Sequence, residues 1–472
     1  MNEDPGALAP ELCLLGGAVV GLLVGLFLPR RRQWVVAAIA VAALLAGIAA
    51  TAVAATRPGR VVFGDGYVID TGLNAVRIIA MGATLLVVGL SLETVRRHAR
   101  ETEFYVLLLL ATLGAVALAG AGDLLVLVAA YLLASVPAYA LVGFAKDPVG
   151  TEAALKYYLM GALLGTVMLV GVTILFGVAG GTAYPVVHHA IGRAPHGAVA
   201  VGVVALLAGL AFKAGAVPGH FWVPDVTEGA STPVAAFVTT VPKVGALAAA
   251  LRLFDQALPD ASVRWHLLLA VLAAASMTLG NLAAFFQTSP RRLLAYSTIS
   301  QVGYALMAVA AAGRSDLATR TLLYYLAGYA VTNLGAFAVV AELPGAATLA
   351  GYGGLFRRQR WLALTLVVCL LGLVGTPPTA VFVGKLGVFS AAADAGLAWL
   401  MVLAAVNTVA SVFYYLRWIV PMFAAAPERE EALAPGGGWA RGCAYAAGAG
   451  TVLLGLASGP VLARLTGPLL GG

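Results

Sequence analysis

Three lysines sit in runs where a lysine is expensive. Lys243 lies in STPVAAFVTTVPKVGALAAALRLF, Lys213 in VVALLAGLAFKAGAVPGHFWVPD and Lys385 in LVVCLLGLVGTPPTAVFVGKLGVF. An ammonium at the centre of a spanning helix costs about 2.5–3.5 kcal/mol on insertion scales. The apolar neighbours can offset that cost, but nothing in folding asks for a lysine there. The competing role is snorkelling to an interface. Lys243 resists it, because a long apolar stretch flanks it on each side. Burial in general favours a neutral amine, and a nearby carboxylate favours the ammonium. A lysine whose partner can approach and leave therefore loads and releases a proton. Lysines at similar depth in successive segments, bridged by water, make a path. The chemistry is proton transfer, not bond making. The sequence has no Gly-rich phosphate loop, nucleotide fingerprint or nucleophile elbow.

The prolines beside these lysines bear on the same chemistry. Pro218 follows Lys213, and Pro377 and Pro378 precede Lys385. A proline removes a backbone donor and clashes with the preceding turn, so both runs are expected to be broken helices. Such breaks free carbonyls that need partners inside the membrane. His220 lies just past the first break. With an ordinary pKa of about 6.5 it suits a proton shuttle, or a structural hydrogen bond. Lys156, about one turn inside TEAALKYYLMGALLG, fits either snorkelling or a relay. Arg77 is expected to snorkel. Asp225 and Glu228 precede the eighth apolar run and are expected to cap its N-terminus. Ser297, Ser300, Gln301, Asn333 and Asn407 could hold water, although helix–helix hydrogen bonding is the commoner job of such residues.

Composition says what must position these groups. Of 472 residues, 61% are hydrophobic and 10% charged, and the mean hydropathy is +0.95. A soluble domain carries about 25% charged residues, so the bilayer must be the solvent. The net charge of +7 comes from basic residues scattered between apolar runs, which does not suggest nucleic acid. Cys13, Cys369 and Cys443 lie far apart in or beside apolar runs and read as small apolar side chains. Iron–sulfur or haem ligation is not supported. The acidic start MNEDPGALAPE does not read as a cleaved signal peptide, so the first span is expected to be retained. His188, His189 and His196 fall in a long connection, 179–196, which reads as a solvated loop rather than a metal site.

About fourteen apolar runs have the length that crosses roughly 30 Å of hydrocarbon. They are 11–29, 34–54, 71–92, 103–121, 123–144, 153–178, 197–217, 231–253, 265–286, 291–312, 320–342, 361–389, 396–422 and 440–462. No period-two alternation recurs, which excludes a β-barrel. Alternate loops hold Arg30, Arg31, Arg32, Arg96, Arg97, Arg100, Lys146, Arg291, Arg292, Arg357, Arg358, Arg360, Arg429 and Arg441. This richer set should face the cytoplasm. Both termini are then expected on the outer side of a bacterial cell membrane.

The stretch FKAGAVPGHFWVPDVTEGASTPVAAFVTTVPKVGAL closely resembles the antiporter-like subunits of respiratory complex I, the proton-pumping NADH:quinone oxidoreductase. Within it, VPDVTEGASTPV resembles subunit N rather than its larger relatives L and M. ALKYYLMGALLG, GNLAAFFQTSPRRLLAYSTISQVGYAL, YYLAGYAVTNLGAFAVV, GTPPTAVFVGKLGVFSAA and VLAAVNTVASVFYYLR carry the same resemblance, over roughly residues 65–425. It implies an all-α membrane fold of fourteen helices with two inverted five-helix repeats. The expected units are an N-terminal three-helix segment 1–102, halves 103–254 and 264–423, and a C-terminal helix within 424–472. It also implies that Lys213, Lys243 and Lys385 carry the proton path, with Lys156 as a further member. No cofactor is expected in this chain. NADH, flavin, iron–sulfur clusters and quinone would belong to partner subunits, beside other antiporter-like and small helical membrane-arm subunits.

The sequence departs from the resemblance at one point. The family normally has a glutamate in the fifth helix that pairs with the seventh-helix lysine. Aligning GDLLVLVAAYLLASVPAYALVGF on Asp123 and Ser135 puts Leu132 there. Lys213 would then lose a charge partner, as in a divergent second copy of subunit N. Two rival functions stand beside the main one. One is a subunit of a multi-component cation/proton antiporter. The other is a membrane-arm subunit that fills space without pumping.

Overall fold

The computed structural model describes residues 4–96, 98–259, 261, 263–424, 437–467 and 469. Arg97 and Arg429 of the basic loop set lie outside these residues. The first six long elements are α1 (Ala9–Phe27), α2 (Trp34–Ala54), α3 (Thr71–Val95), α4 (Glu101–Gly120), α5 (Leu124–Val142) and α6 (Pro148–Ala179). Then come α7 (Tyr184–Ile191), α8 (His196–Ala214), α9 (Trp222–Gly229), α10 (Thr232–Val238), α11 (Val241–Arg252) and α12 (Trp265–Ala284). The last third holds α13 (Pro290–Ala310), α14 (Ala318–Glu342), α15 (Leu355–Arg358), α16 (Arg360–Val374), α17 (Ala380–Asp394), α18 (Ala398–Phe423), α19 (Trp439–Leu456) and α20 (Ser458–Arg464).

Among the described residues twelve helical stretches are long and apolar enough to cross a bilayer, and α19, bent 77° from α20, makes a thirteenth. The other expected crossing, 361–389, is two 15-residue helices, α16 and α17, separated by Gly375–Thr379. The expected crossing at 231–253 is likewise split, into α10 and α11, at Thr239 and Thr240.

Several helix starts are written in single residues. Asp70, Asp123, Asp147 and Ser289 are N-caps whose side chains accept backbone N–H groups of α3, α5, α6 and α13. Proline stands at the first position of α6 and α13, where its missing N–H costs nothing.

Burial sorts the helices into a centre and a rim. The best apolar window is 100% buried in α10–α11, 94% in α13 and 89% in α14, against 28% in α6 and 33% in α1 and α18. Rim helices turn Leu163 and Val409 outward, as lipid contact allows. Lys243 is therefore on the innermost segment. Gly245, one turn above the break, packs on the Ala115 backbone so closely that a Cβ would collide with it. Small residues allow this approach between spanning helices.

Two polar locks tie the N-terminal segment to the rest. A short antiparallel hairpin, β1 (Arg60–Val62) and β2 (Tyr67–Ile69), is the one sheet among the described residues. The Tyr67 hydroxyl donates to Glu11 Oε1 at 2.8 Å, and Arg77 donates to both Glu11 oxygens at 2.8 and 2.7 Å. Burial, then the Glu11 carboxylate, hold the Tyr67 phenol well above its ordinary pKa, so it remains a donor. Arg252 of α11 pairs with Asp70 at 2.8 Å and donates to Ala119 O. Arg77 thus does not snorkel. It is fully buried because Glu11 on α1 supplies the matching charge.

The connection 179–196 is also not a loop throughout. It contains α7, whose Tyr184, Val187 and Ile191 are buried, and His196 starts α8. His188 is part-buried, while His189 and His196 are exposed. Among the described residues no His, Cys, Asp or Glu group could hold a metal.

Candidate proton-relay site

Lys213 occupies the last turn of α8, which Gly215 ends in the left-handed region at φ 75°. Its ammonium donates to Ala134 O and Ser135 Oγ of α5, both at 2.8 Å. Pro137 follows on the same helix. It lacks the N–H that Leu133's carbonyl would accept and opens that turn. Beyond Gly215 the chain runs irregularly past Pro218 to α9. The break is closed by Trp222 Nε1 donating to Phe212 O at 3.0 Å and by Val217 N donating to Ser276 Oγ at 3.0 Å.

Lys243 lies just inside α11 and is fully buried. Its Nζ makes no hydrogen bond among the described residues. The head group reaches back to the first break, where a Cβ on Gly215 would lie 2.9 Å from it. The Trp222 ring lies 5.8 Å from the same nitrogen and stacks on Tyr157 at 4.3 Å. His220 is buried beside this break. Its Nδ1 has no partner among the described residues. The α10–α11 break above Lys243 is covered by α14. Asn333 donates to Thr239 Oγ1 at 3.3 Å and to Thr240 Oγ1 at 3.0 Å, and the Tyr329 hydroxyl donates to Thr239 O at 2.7 Å.

Lys385 on α17 turns back to the break between α16 and α17. Its ammonium donates to Val374 O at 2.9 Å and Leu373 O at 3.4 Å, with Thr408 Oγ1 at 3.5 Å. Gly375 takes φ 93° there, and a Cβ on it would lie 2.9 Å from Lys385 Cδ. Both breaks therefore put a left-handed glycine against a lysine. Each also has a cis peptide, Val217–Pro218 and Pro377–Pro378.

Two groups of hydrogen bonds, set along one face of α13, lie between the α10–α11 break and Lys385. Tyr329, bonded to Thr239 O, also shares a short hydrogen bond with Thr298 of α13. Gln301 is three residues on, over the same face of α13. It donates to Leu373 O at 2.8 Å, the carbonyl that Lys385 shares, and its Oε1 accepts a short hydrogen bond from the Tyr325 hydroxyl. Tyr325 and Tyr329 were not singled out in the sequence. Their spacing on α14 matches one helical turn, the signal that could have found them.

Not every expected member joins this series. Lys156 pairs with Glu152 at 2.8 Å and Asp225 at 2.9 Å, with its side chain 46% exposed. Asp225 also meets Arg292, and Glu228 meets Arg291 and Ser289. These two carboxylates do not cap the eighth span. Helix α9 intervenes, and Ser231 takes the N-cap position of α10. Ser297 bonds Tyr415, and Asn407 bonds Asn281 across α12 and α18. Leu132 is 49% exposed, so its side chain lies partly on the outer face of α5.

Residues 121–411 match the family described as NADH:quinone oxidoreductase/Mrp antiporter, transmembrane. The chain is 59% identical over 98% of both chains to NADH-quinone oxidoreductase subunit N 1 of Streptomyces griseus. It is 49% identical over 98% of both chains to subunit N of a Mycobacterium species. A chain of respiratory complex I from Thermus thermophilus superposes with TM-score 0.83 at 34% identity, over 97% of this chain and 99% of that one. A chain of the Mrp complex from Dietzia sp. shares the fold, with TM-score 0.85 at 22% identity over 98% and 95%. At that identity the antiporter rival keeps fold support alone. The chain belongs to the subunit N family, the antiporter-like membrane-arm subunits of proton-pumping NADH:quinone oxidoreductase.

Proposed function

We propose that Lys213, Lys243 and Lys385 carry protons through this subunit, with His220 serving the first break. One observation supports this above all. Each lysine meets a helix break, and none has a carboxylate within ion-pair distance among the described residues. Carbonyls and hydroxyls hold Lys213 and Lys385 without locking them, and Lys243 makes no hydrogen bond among the described residues, so each can exchange its partner as the proton moves. Between Lys243 and Lys385, the hydroxyls of Tyr329 and Thr298 can pass a proton by exchanging donor and acceptor roles. The Gln301 amide orients Tyr325 and the Leu373 carbonyl, and water completes the step.

The redox chemistry belongs to the partner subunits. NADH, flavin, iron–sulfur clusters and quinone act there, and quinone reduction drives the relay. Other antiporter-like and small helical subunits flank this chain in the bacterial cell membrane. The basic loops face the cytoplasm and both termini lie outside, as the positive-inside rule expects. Residues 103–254 and 264–423 form two inverted halves, each with one proline-broken helix.

Leu132 favours a second reading, a subunit that completes the arm without pumping. Complex carrying Lys243→Ala, reconstituted in liposomes, separates the two. Fewer protons per NADH with assembly intact is the expected result. An unchanged ratio overturns the relay and leaves the structural reading.

A further inference from the structure

The three lysines share a partner of another kind: each lies near an aromatic ring. Lys213 Nζ is 5.6 Å from the Tyr131 centroid, Lys243 Nζ is 5.8 Å from that of Trp222, and Lys385 Nζ is 3.9 Å from that of Tyr304. A ring face attracts a cation within about 6 Å, most strongly where water is excluded. Only the Lys385 pair is at contact distance.

Tyr304 is held in that pose. Its hydroxyl accepts from Thr408 Oγ1 at 3.1 Å, donates to Ala404 O at 3.4 Å and interacts with Asn281. Asn281 is in turn fixed by Asn407 and Tyr414. The ring also leans on Phe389 of α17. Helices α12, α13 and α18 therefore aim one ring at one ammonium, and Thr408 touches both.

We infer that Tyr304 is a positioning residue for the Lys385 ammonium, its ring face standing where a carboxylate would otherwise be needed. A carboxylate at that depth would bind the charge tightly and could take the proton itself. A ring stabilises the ammonium more weakly and cannot accept the proton, so the charge is held but remains mobile. The inference rests on the relay proposed above and deepens it at its third member.

The test uses intact complex in proteoliposomes, reading protons pumped per NADH. Position 304 is changed to Phe, to Leu, and to phenylalanines of increasing ring fluorination, which keep the shape but drain the ring face of electron density. Phe should retain pumping within about twofold. Leu should lower the ratio as far as Lys385→Ala does, and the fluorinated series should decline in order toward that level. Equal losses for Phe and Leu, or a flat fluorinated series, overturn the role of the ring. Lys385→Ala run in parallel separates the two levels. If Lys385→Ala pumps normally, the relay reading fails and the inference with it. If it is inactive while the fluorinated series is flat, the inference alone fails.

Discussion

Gly215→Ala isolates the contact between the first break and Lys243. The substitution has two effects of different kinds. Gly215 sits at φ 75°, and an L-residue there costs about 1–2 kcal/mol. The new Cβ would also lie 2.9 Å from Lys243 Nζ and 2.8 Å from Val223 Cγ2. Gly180 provides the control. It ends α6 in the same backbone region, at φ 73°, with nothing within 4 Å of its Cβ position. Gly180→Ala therefore carries the backbone strain alone. Both variants should lower the thermal stability of the complex, Gly215→Ala by more, because its Cβ also crowds Val223. Only Gly215→Ala should also lower protons pumped per NADH, because Lys243 must leave its place beside the break. Equal pumping by both variants, with the expected stability loss, would refute the idea that the lysine must meet the break.

Two further outcomes follow from the hydrogen-bond map. Glu11→Gln should cost about 3–5 kcal/mol, seen as lost assembly, because Arg77 keeps its charge without a matching partner; Glu11→Leu with Arg77→Leu should recover much of that loss. Tyr329→Phe removes the hydroxyl between Thr239 and Thr298 and should cost about 1 kcal/mol of stability, while proton pumping measured in liposomes falls by a much larger factor.

The membrane class and most spans were legible because apolar length is a one-dimensional signal. The breaks at Pro218 and Pro377–Pro378 were legible because proline acts on its own turn. The break at Thr239–Thr240 had the same kind of signal, Pro242 in the first turn of α11, but it went unread. Asn333 and Tyr329, far along the chain, show how that opening is satisfied. Arg77 was misread for a different reason. Its cost depends on Glu11, 66 positions away, and periodicity does not reveal that two helices meet. Asp225 and Glu228 looked like caps because their helix, α9, is short and lies inside a stretch that resembles a connection. The side of α5 on which Leu132 lies needed the packed bundle.

The chain buries two kinds of cation, and the difference yields a sharp test. Among the described residues Arg77, Arg252, Lys213, Lys243 and Lys385 are the buried lysines and arginines. Both arginines are matched to carboxylates, Glu11 and Asp70. The lysines are not. Arginine does not release its proton in proteins, whereas lysine can. The fixed cations therefore lock helices together, and the releasable ones line the breaks. Lys243→Arg keeps a positive charge at the break but removes the ability to let the proton go. If the charge alone mattered, to hold Trp222 or to order the break, this variant would pump. On the relay reading it should assemble and oxidise NADH with pumping lost, as in Lys243→Ala. A Lys243→Arg complex with a normal ratio of protons to NADH would show that Lys243 serves by its charge and not by exchanging its proton.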